Sequence, residues 1–126
     1  MSVYDGIGGA RVALSLLGIE PAAYLRVDDD STREFVVHRA WPEAVTYPTA
    51  ELPGIPFRAR LQNPALKRGL LICGAPTLAS KDPQAFDSAV SSVAGLLKRL
   101  ATEAPHIDWD CLFEHVAPVS SETETG

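Results

Sequence analysis

A short apolar run that begins at Gly69 and ends at Cys73 constrains the fold of this chain more than any other feature. It contains no charged residue and leads directly into a Gly-Ala-Pro turn, a pattern that indicates a buried strand. Because every position is apolar, rather than alternate ones, we expect the strand to be buried on both faces, as strands of parallel sheets are.

Strand and helix patterns alternate along the whole chain. Strands are predicted at residues 2–4, 22–27, 44–47, 69–73 and 107–113. Helices are predicted at residues 10–17 and 31–41, with a third beginning at Pro83. This alternation predicts one α/β domain with a largely parallel sheet and right-handed crossovers. Residues 48–66 contain four prolines, and we expect them to form a loop.

The predicted helices are defined by their ends and apolar faces. Gly18 ends the first helix, a Ser31-x-x-Glu34 capping box starts the second, and Asp82 caps the third. The apolar face predicted for the first helix consists of Ala10, Ala13, Leu14 and Leu17. The face predicted for the third consists of Phe86, Val90, Val93, Leu97 and Leu100.

Composition limits the classes of function. The formal net charge is −5, which argues against autonomous DNA binding through phosphate contacts. Cys73 and Cys111 lie in apolar runs and are expected to be buried free thiols in a reducing compartment. No apolar stretch reaches the roughly 20 residues of a membrane span, and no signal peptide is recognisable. We therefore expect a soluble, intracellular protein, in nucleus, cytoplasm or organelle.

The segment Gly6-Ile7-Gly8-Gly9 lies between the first strand and the first helix. Such a turn is typical of cofactor-binding loops, because glycines let a ligand approach the backbone and the helix start offers free N–H groups. The alternative is a turn that is glycine-rich only for tight packing, and the motif alone does not decide between them.

Asp28 ends the second predicted strand, about 20 residues after the glycine turn, where a carboxylate typically binds ribose hydroxyls. The alternative is that Asp28, Asp29 and Asp30 form a solvated turn before the second helix. The histidines and cysteines do not share the spacing of metal ligands, so no metal site is predicted.

Taken in order, four short motifs resemble those of the cytosine-5 DNA methyltransferases, especially the de novo type. They are Val3-Tyr4-Asp5-Gly6-Ile7-Gly8-Gly9, Val27-Asp28-Asp29-Asp30, Gly74-Ala75-Pro76-Thr77 and Glu114-His115-Val116. The resemblance implies a Rossmann-like methyltransferase fold with strand order 3-2-1-4-5. It also implies S-adenosylmethionine as cofactor, with the candidate binding residues Tyr4, Gly6, Gly8, Gly9 and Asp28.

The departures from the family pattern concern catalysis. Thr77 stands where the family has its nucleophilic cysteine, and a threonine hydroxyl is far less acidic than a thiol. Glu114 keeps the carboxylate of the Glu-Asn-Val motif, but His115 replaces its asparagine. The motif that contacts the adenine, the target-recognition domain and the final cofactor motif have no counterpart. We therefore expect a truncated methyltransferase-like domain at residues 1–117 and a polar tail at 118–126.

These departures favour a catalytically inactive domain that serves as a structural or partner-binding subunit, with no cofactor required. In the order 3-2-1-4-5, the strand from Ile107 to Phe113 would be an apolar edge. We therefore expect a protein partner, a second copy or the tail to cover it. The alternative is that Asp108 and Asp110 discourage edge pairing without any cover. The alternatives are a residual S-adenosylmethionine-binding domain and one half of a split DNA methyltransferase.

Overall fold

The computed structural model describes residues 1–4, 6, 8–74 and 83–114. The predictions made for Thr77, Asp82, His115 and the tail at 118–126 lie outside the described residues, as does the side chain of Phe86.

Five strands form one sheet in which every neighbouring pair is parallel. They are β1 (Ser2–Val3), β2 (Leu25–Val27), β3 (Val45–Tyr47), β4 (Arg68–Cys73) and β5 (Asp108–Phe113). Their order is β3-β2-β1-β4-β5. The predicted α/β, Rossmann-like fold and its strand order are therefore confirmed, although β2 begins at Leu25 rather than at residue 22.

The helices of the described chain are α1 (Gly9–Leu16), α2 (Ser31–Ala40), α3 (Phe57–Arg60) and α4 (Pro83–Glu103). A 3₁₀ helix, Thr49–Gly54, precedes α3. None of these helices is both long and apolar enough to cross a bilayer.

The segment predicted as a loop at 48–66 thus contains two short helices. Pro48 and Pro56 occupy the positions just before them, where a missing N–H costs no helical hydrogen bond. Arg99 of α4 donates hydrogen bonds to the carbonyl oxygens of Leu52, at 2.8 Å, and Ile55, at 2.9 Å. These bonds hold the segment against α4, a tertiary contact that local sequence does not reveal.

The second helix is capped one residue earlier than predicted. The Asp30 side chain accepts a hydrogen bond from the Arg33 N–H at 2.9 Å, so Asp30 is the N-cap and Ser31 is the first helical residue. A carboxylate accepts this bond as readily as the serine hydroxyl would.

The main core lies on one face of the sheet, between the strands and α4. Its buried strand residues include Val3, Val27 and Leu71, which pack with Leu96 and Leu100 of α4. A smaller cluster on the opposite face is formed by Tyr24, Val37 and Ala44, with Trp41 packed against it.

The prediction that the fourth strand is buried on both faces is wrong. Leu71 and Cys73 are buried, whereas Leu70 and Ile72 are half-buried on the other face. The latter two line a groove of about 460 Å³ beside α1, so the described helices do not cover this side of β4 completely.

The predicted burial of Cys111 is also wrong. Cys73 is buried, but Cys111 is exposed, because β5 is the last strand in the sheet order and, among the described residues, has a neighbouring strand on one side only.

The apolar face predicted for α1 is confirmed only in part, because Ala10 and Leu14 are half-buried whereas Ala13 and Leu17 are exposed. Its buried residue is Arg11, 5% exposed, while Leu17 is 73% exposed. The Arg11 guanidinium lies 5.4 Å from the centre of the Trp41 ring and pairs with Glu20 at 2.7 Å. A cation stacked on an aromatic ring and paired with a carboxylate is stable in this position, which hydrophobic periodicity does not anticipate.

Candidate cofactor crevice

The glycine turn and Asp28 meet where β1 and β2 end. Ser2 and Val3 pair in register with Arg26 and Val27, and the Tyr4 N–H extends this pairing to the Val27 carbonyl at 2.8 Å. The Gly6 N–H then donates to Asp28 Oδ2 at 3.0 Å. The two predicted motifs are therefore in direct contact.

The Asp28 carboxylate is buried, with 7% of the residue exposed, and the chain itself surrounds it with donors. Asp28 Oδ1 accepts the Asp30 N–H at 3.0 Å and lies 3.2 Å from Arg33 Nε. Together with the bond from Gly6, three donors on three different residues engage both oxygens. An ionised carboxylate has about four acceptor positions, so these three donors leave little acceptor capacity for the hydroxyl groups of a ribose in this conformation.

The neighbouring carboxylates have structural partners of their own. Asp29 accepts the Thr49 N–H at 2.7 Å, and hydrogen bonding to Thr49 lowers the Asp29 pKa. The backbone hydrogen bond from Arg33 lowers the pKa of Asp30, the N-cap of α2. The acidic triplet is therefore a set of caps and anchors rather than a freely solvated turn.

Arg26 fixes the other side of the glycine turn, and the sequence analysis missed it. It is fully buried in β2 and donates to the Gly6 carbonyl oxygen at 2.7 Å and to Thr46 Oγ1 at 3.2 Å. Gly6 is thus held at its N–H by Asp28 and at its oxygen by Arg26. The signal was an arginine inside an otherwise apolar strand, since buried arginines are almost always paired.

The two remaining glycines have different environments. Gly8 has φ +85°, and an added Cβ would lie 2.7 Å from Cζ3 of Trp41. Gly9 is the first residue of α1, and nothing lies within 4 Å of the equivalent position. The need for glycine at position 8 is therefore explained by the Trp41 ring and the positive φ, without a ligand.

Tyr4 lies at the point where the strand order reverses, between β1 and β4. Its backbone has φ +56°, which is strained for a tyrosine, and an added Cβ on Gly74 would lie 3.4 Å from its carbonyl oxygen. The Tyr4 residue is 38% exposed, and its pKa is raised first by burial and then by the charges of Asp29 and Cys73. Open α/β sheets bind ligands at such switch points.

Of the positions that the resemblance assigns to catalysis, the structure describes those that directly follow β4 and β5. Glu114 is exposed, and its N–H donates to the Cys73 carbonyl oxygen at 2.9 Å. Cys73 is buried, and loss of solvent raises its pKa from 9.0 to about 11. Thr77 and His115, the other two positions that the resemblance assigns to catalysis, lie outside the described residues.

No protein-family model, curated protein or solved structure matches this chain.

Proposed function

We propose that this protein is a catalytically inactive cytosine-5 DNA methyltransferase-like domain that serves as a structural or partner-binding subunit. Asp28 stands where the resemblance places the ribose-binding carboxylate. The observation that carries the proposal is that this carboxylate already contacts Gly6, Asp30 and Arg33. A carboxylate that stabilises its own loop has a structural role that does not require a cofactor.

The packing of the glycine turn supports the same conclusion. The Trp41 ring lies against Gly8, and the Arg11 guanidinium lies over the same ring. The turn is therefore stabilised by side chains of the chain itself.

The state of Cys73 supports the absence of thiolate chemistry. This thiol lies four residues before Thr77, where the resemblance places the nucleophile. With a pKa of about 11 it stays protonated at neutral pH, and the thiolate is the nucleophilic form. Cys73 therefore does not replace the missing cysteine.

Two surface features support partner binding. The groove beside α1 is lined largely by apolar side chains, including Leu14, Ile19, Leu70 and Ile72. In addition, β5 forms an edge of the sheet, and its Leu112 is 55% exposed. Exposed apolar surface next to an open strand edge is typical of interaction sites.

The test is a thermal-shift titration with S-adenosylmethionine, repeated with S-adenosylhomocysteine. A ligand present at about 1,000 times its dissociation constant stabilises a protein by about 4 kcal/mol. We expect no rise in the melting temperature at millimolar cofactor. A saturable rise would contradict the inactive-scaffold proposal.

A residual S-adenosylmethionine-binding domain is the second candidate. It is favoured by the contact of Gly6 with Asp28 after β1 and β2, and by the close approach of Gly74 to Tyr4 at the switch point between β1 and β4. Under this alternative the ribose hydroxyls would use the remaining acceptor capacity of Asp28 or replace one of its present donors, and the titration above would be positive.

A further inference from the structure

The backbone hydrogen bonds between β4 and β5 show which backbone groups of β5 point away from the sheet. The N–H groups of Asp108 and Glu114 donate to the carbonyl oxygens of Lys67 and Cys73, both at 2.9 Å. The backbone N–H and C=O of one strand residue point to the same side, so the backbone groups of the even-numbered residues of β5 point towards β4. The backbone groups of Trp109 and Cys111 therefore point away from the sheet, where no strand of the described chain pairs with them.

The side chains along this edge carry a strong charge bias. Asp108, Asp110, Leu112 and Glu114 alternate onto one face of β5, and all four are exposed. Within the described part of the chain, the cation paired with this row is Arg68, which lies 3.3 Å from Asp110 in an ion pair whose side chains are both at least 70% exposed. The row thus consists of three carboxylates and one exposed leucine.

This charge pattern disfavours pairing of β5 with a second copy of itself. An antiparallel pair centred on Cys111 would place Asp110 opposite Leu112 of the other copy and Asp108 opposite its Glu114. Carboxylates of both copies would then lie on one face, and like charges opposite each other destabilise a sheet.

We propose that the edge of β5 binds an extended segment of a partner protein that carries lysine or arginine at alternate positions. The segment adds to the sheet beside β5 as a sixth strand. Its outward hydrogen bonds go to the backbone of Trp109 and Cys111, and its basic side chains lie beside Asp108, Asp110 and Glu114. Backbone bonds supply affinity in this mode of binding, and alternate side chains supply specificity. This inference rests on the proposed scaffold function and names the chemistry of the partner.

The first experiment uses a fluorescent, capped peptide of alternating lysine and valine, with an alternating glutamate and valine peptide as the charge control. Binding is followed by backbone amide shifts in NMR titrations and by anisotropy at low salt. We expect the basic peptide to shift the amides of Trp109 and Cys111 and the acidic peptide to leave them unchanged. Equal binding of both peptides would overturn the charge selection.

The second experiment separates strand addition from unspecific attraction to an acidic protein. Cys111→Pro removes one outward N–H and blocks the edge, but it breaks no hydrogen bond to β4 and changes no charge. We expect binding at least tenfold weaker than in the matched variant Cys111→Val. Equal affinities of the two variants, when both keep the wild-type melting temperature and circular dichroism, would overturn strand addition.

A charge swap keeps the inference testable should the proline variant unfold. Asp108→Lys with Asp110→Lys leaves the backbone unchanged, and we expect it to reverse the preference so that the acidic peptide binds more tightly. An unchanged preference would overturn the assignment of these carboxylates. Failure of the peptide experiments with a negative cofactor titration removes only the basic-strand inference, whereas a positive cofactor titration removes the proposed function.

Discussion

Gly6 and Asp28, which lie in two different sequence motifs, are joined by a hydrogen bond within the chain. The Asp28 carboxylate accepts bonds from Gly6 and Asp30, and Arg26 donates to the Gly6 carbonyl oxygen. A charge-assisted hydrogen bond contributes about 1.5–3 kcal/mol, so the contacts made by Asp28 matter to the stability of the whole turn. Glycine and aspartate at this spacing therefore have a role in stabilising the fold.

The two adjacent glycines provide a matched test of this explanation. We predict that Gly8→Ala lowers the free energy of unfolding by about 2–4 kcal/mol, because the new Cβ would overlap the Trp41 ring and φ at this position is positive. Gly9→Ala should be neutral or stabilising, since the space is open and alanine favours a helix. Urea denaturation in the absence of any ligand measures both.

A small effect of Gly8→Ala would contradict the packing explanation. The glycine at position 8 would then have to be explained by something other than Trp41, such as a bound molecule.

At the scale of elements, the sequence predicted what depends on local periodicity and turn residues. The apolar run before Gly74 predicted β4, and the alternation of strands and helices predicted the parallel sheet. The Pro83 start of α4 was also predicted correctly. These features depend on residues close together in the chain.

The elements that were wrongly predicted depend on contacts between distant residues. The burial of Arg11 requires Trp41, and the helices at 49–60 are held by Arg99. Likewise, the engagement of Asp28 by Gly6 joins residues 22 positions apart. Periodicity contains no information on such pairs, so the sequence could place the candidate site but not the state of its donors and acceptors.

At the scale of the whole molecule, the buried Cys73 links stability to pH. Its folded-state pKa of about 11 exceeds the ordinary value of 9.0, so the folded state favours the protonated thiol. The stability contributed is fully present below pH 9 and is lost as the pH rises from 9 towards 11. The loss amounts to about 3 kcal/mol at most, from about 1.4 kcal/mol for each tenfold change in acidity.

We predict that Cys73→Ala removes this dependence. Unfolding free energies of both proteins are measured by urea denaturation at several pH values. Between pH 9 and pH 11 the wild type should lose about 3 kcal/mol that the variant does not lose, so the difference between them should shrink by that amount. Cys111→Ser is the comparison variant: burial also raises the pKa of Cys111, and its charge contributes to the raised pKa of Cys73, so we expect this variant to converge with wild type less than Cys73→Ala does. Parallel curves for Cys73→Ala would show that this thiol titrates normally in the folded protein.

The central claim is that the chain's own donors engage the Asp28 carboxylate in place of a cofactor. Hydrogen exchange of the Gly6 amide, followed by NMR, reports on this contact directly because that N–H donates to Asp28 Oδ2 at 3.0 Å. We predict that exchange is at least tenfold slower than for an unstructured glycine, that Asp28→Ala abolishes the protection, and that millimolar S-adenosylmethionine leaves it unchanged. A Gly6 amide that exchanges freely, or that shifts and saturates as the cofactor is added, would contradict the claim.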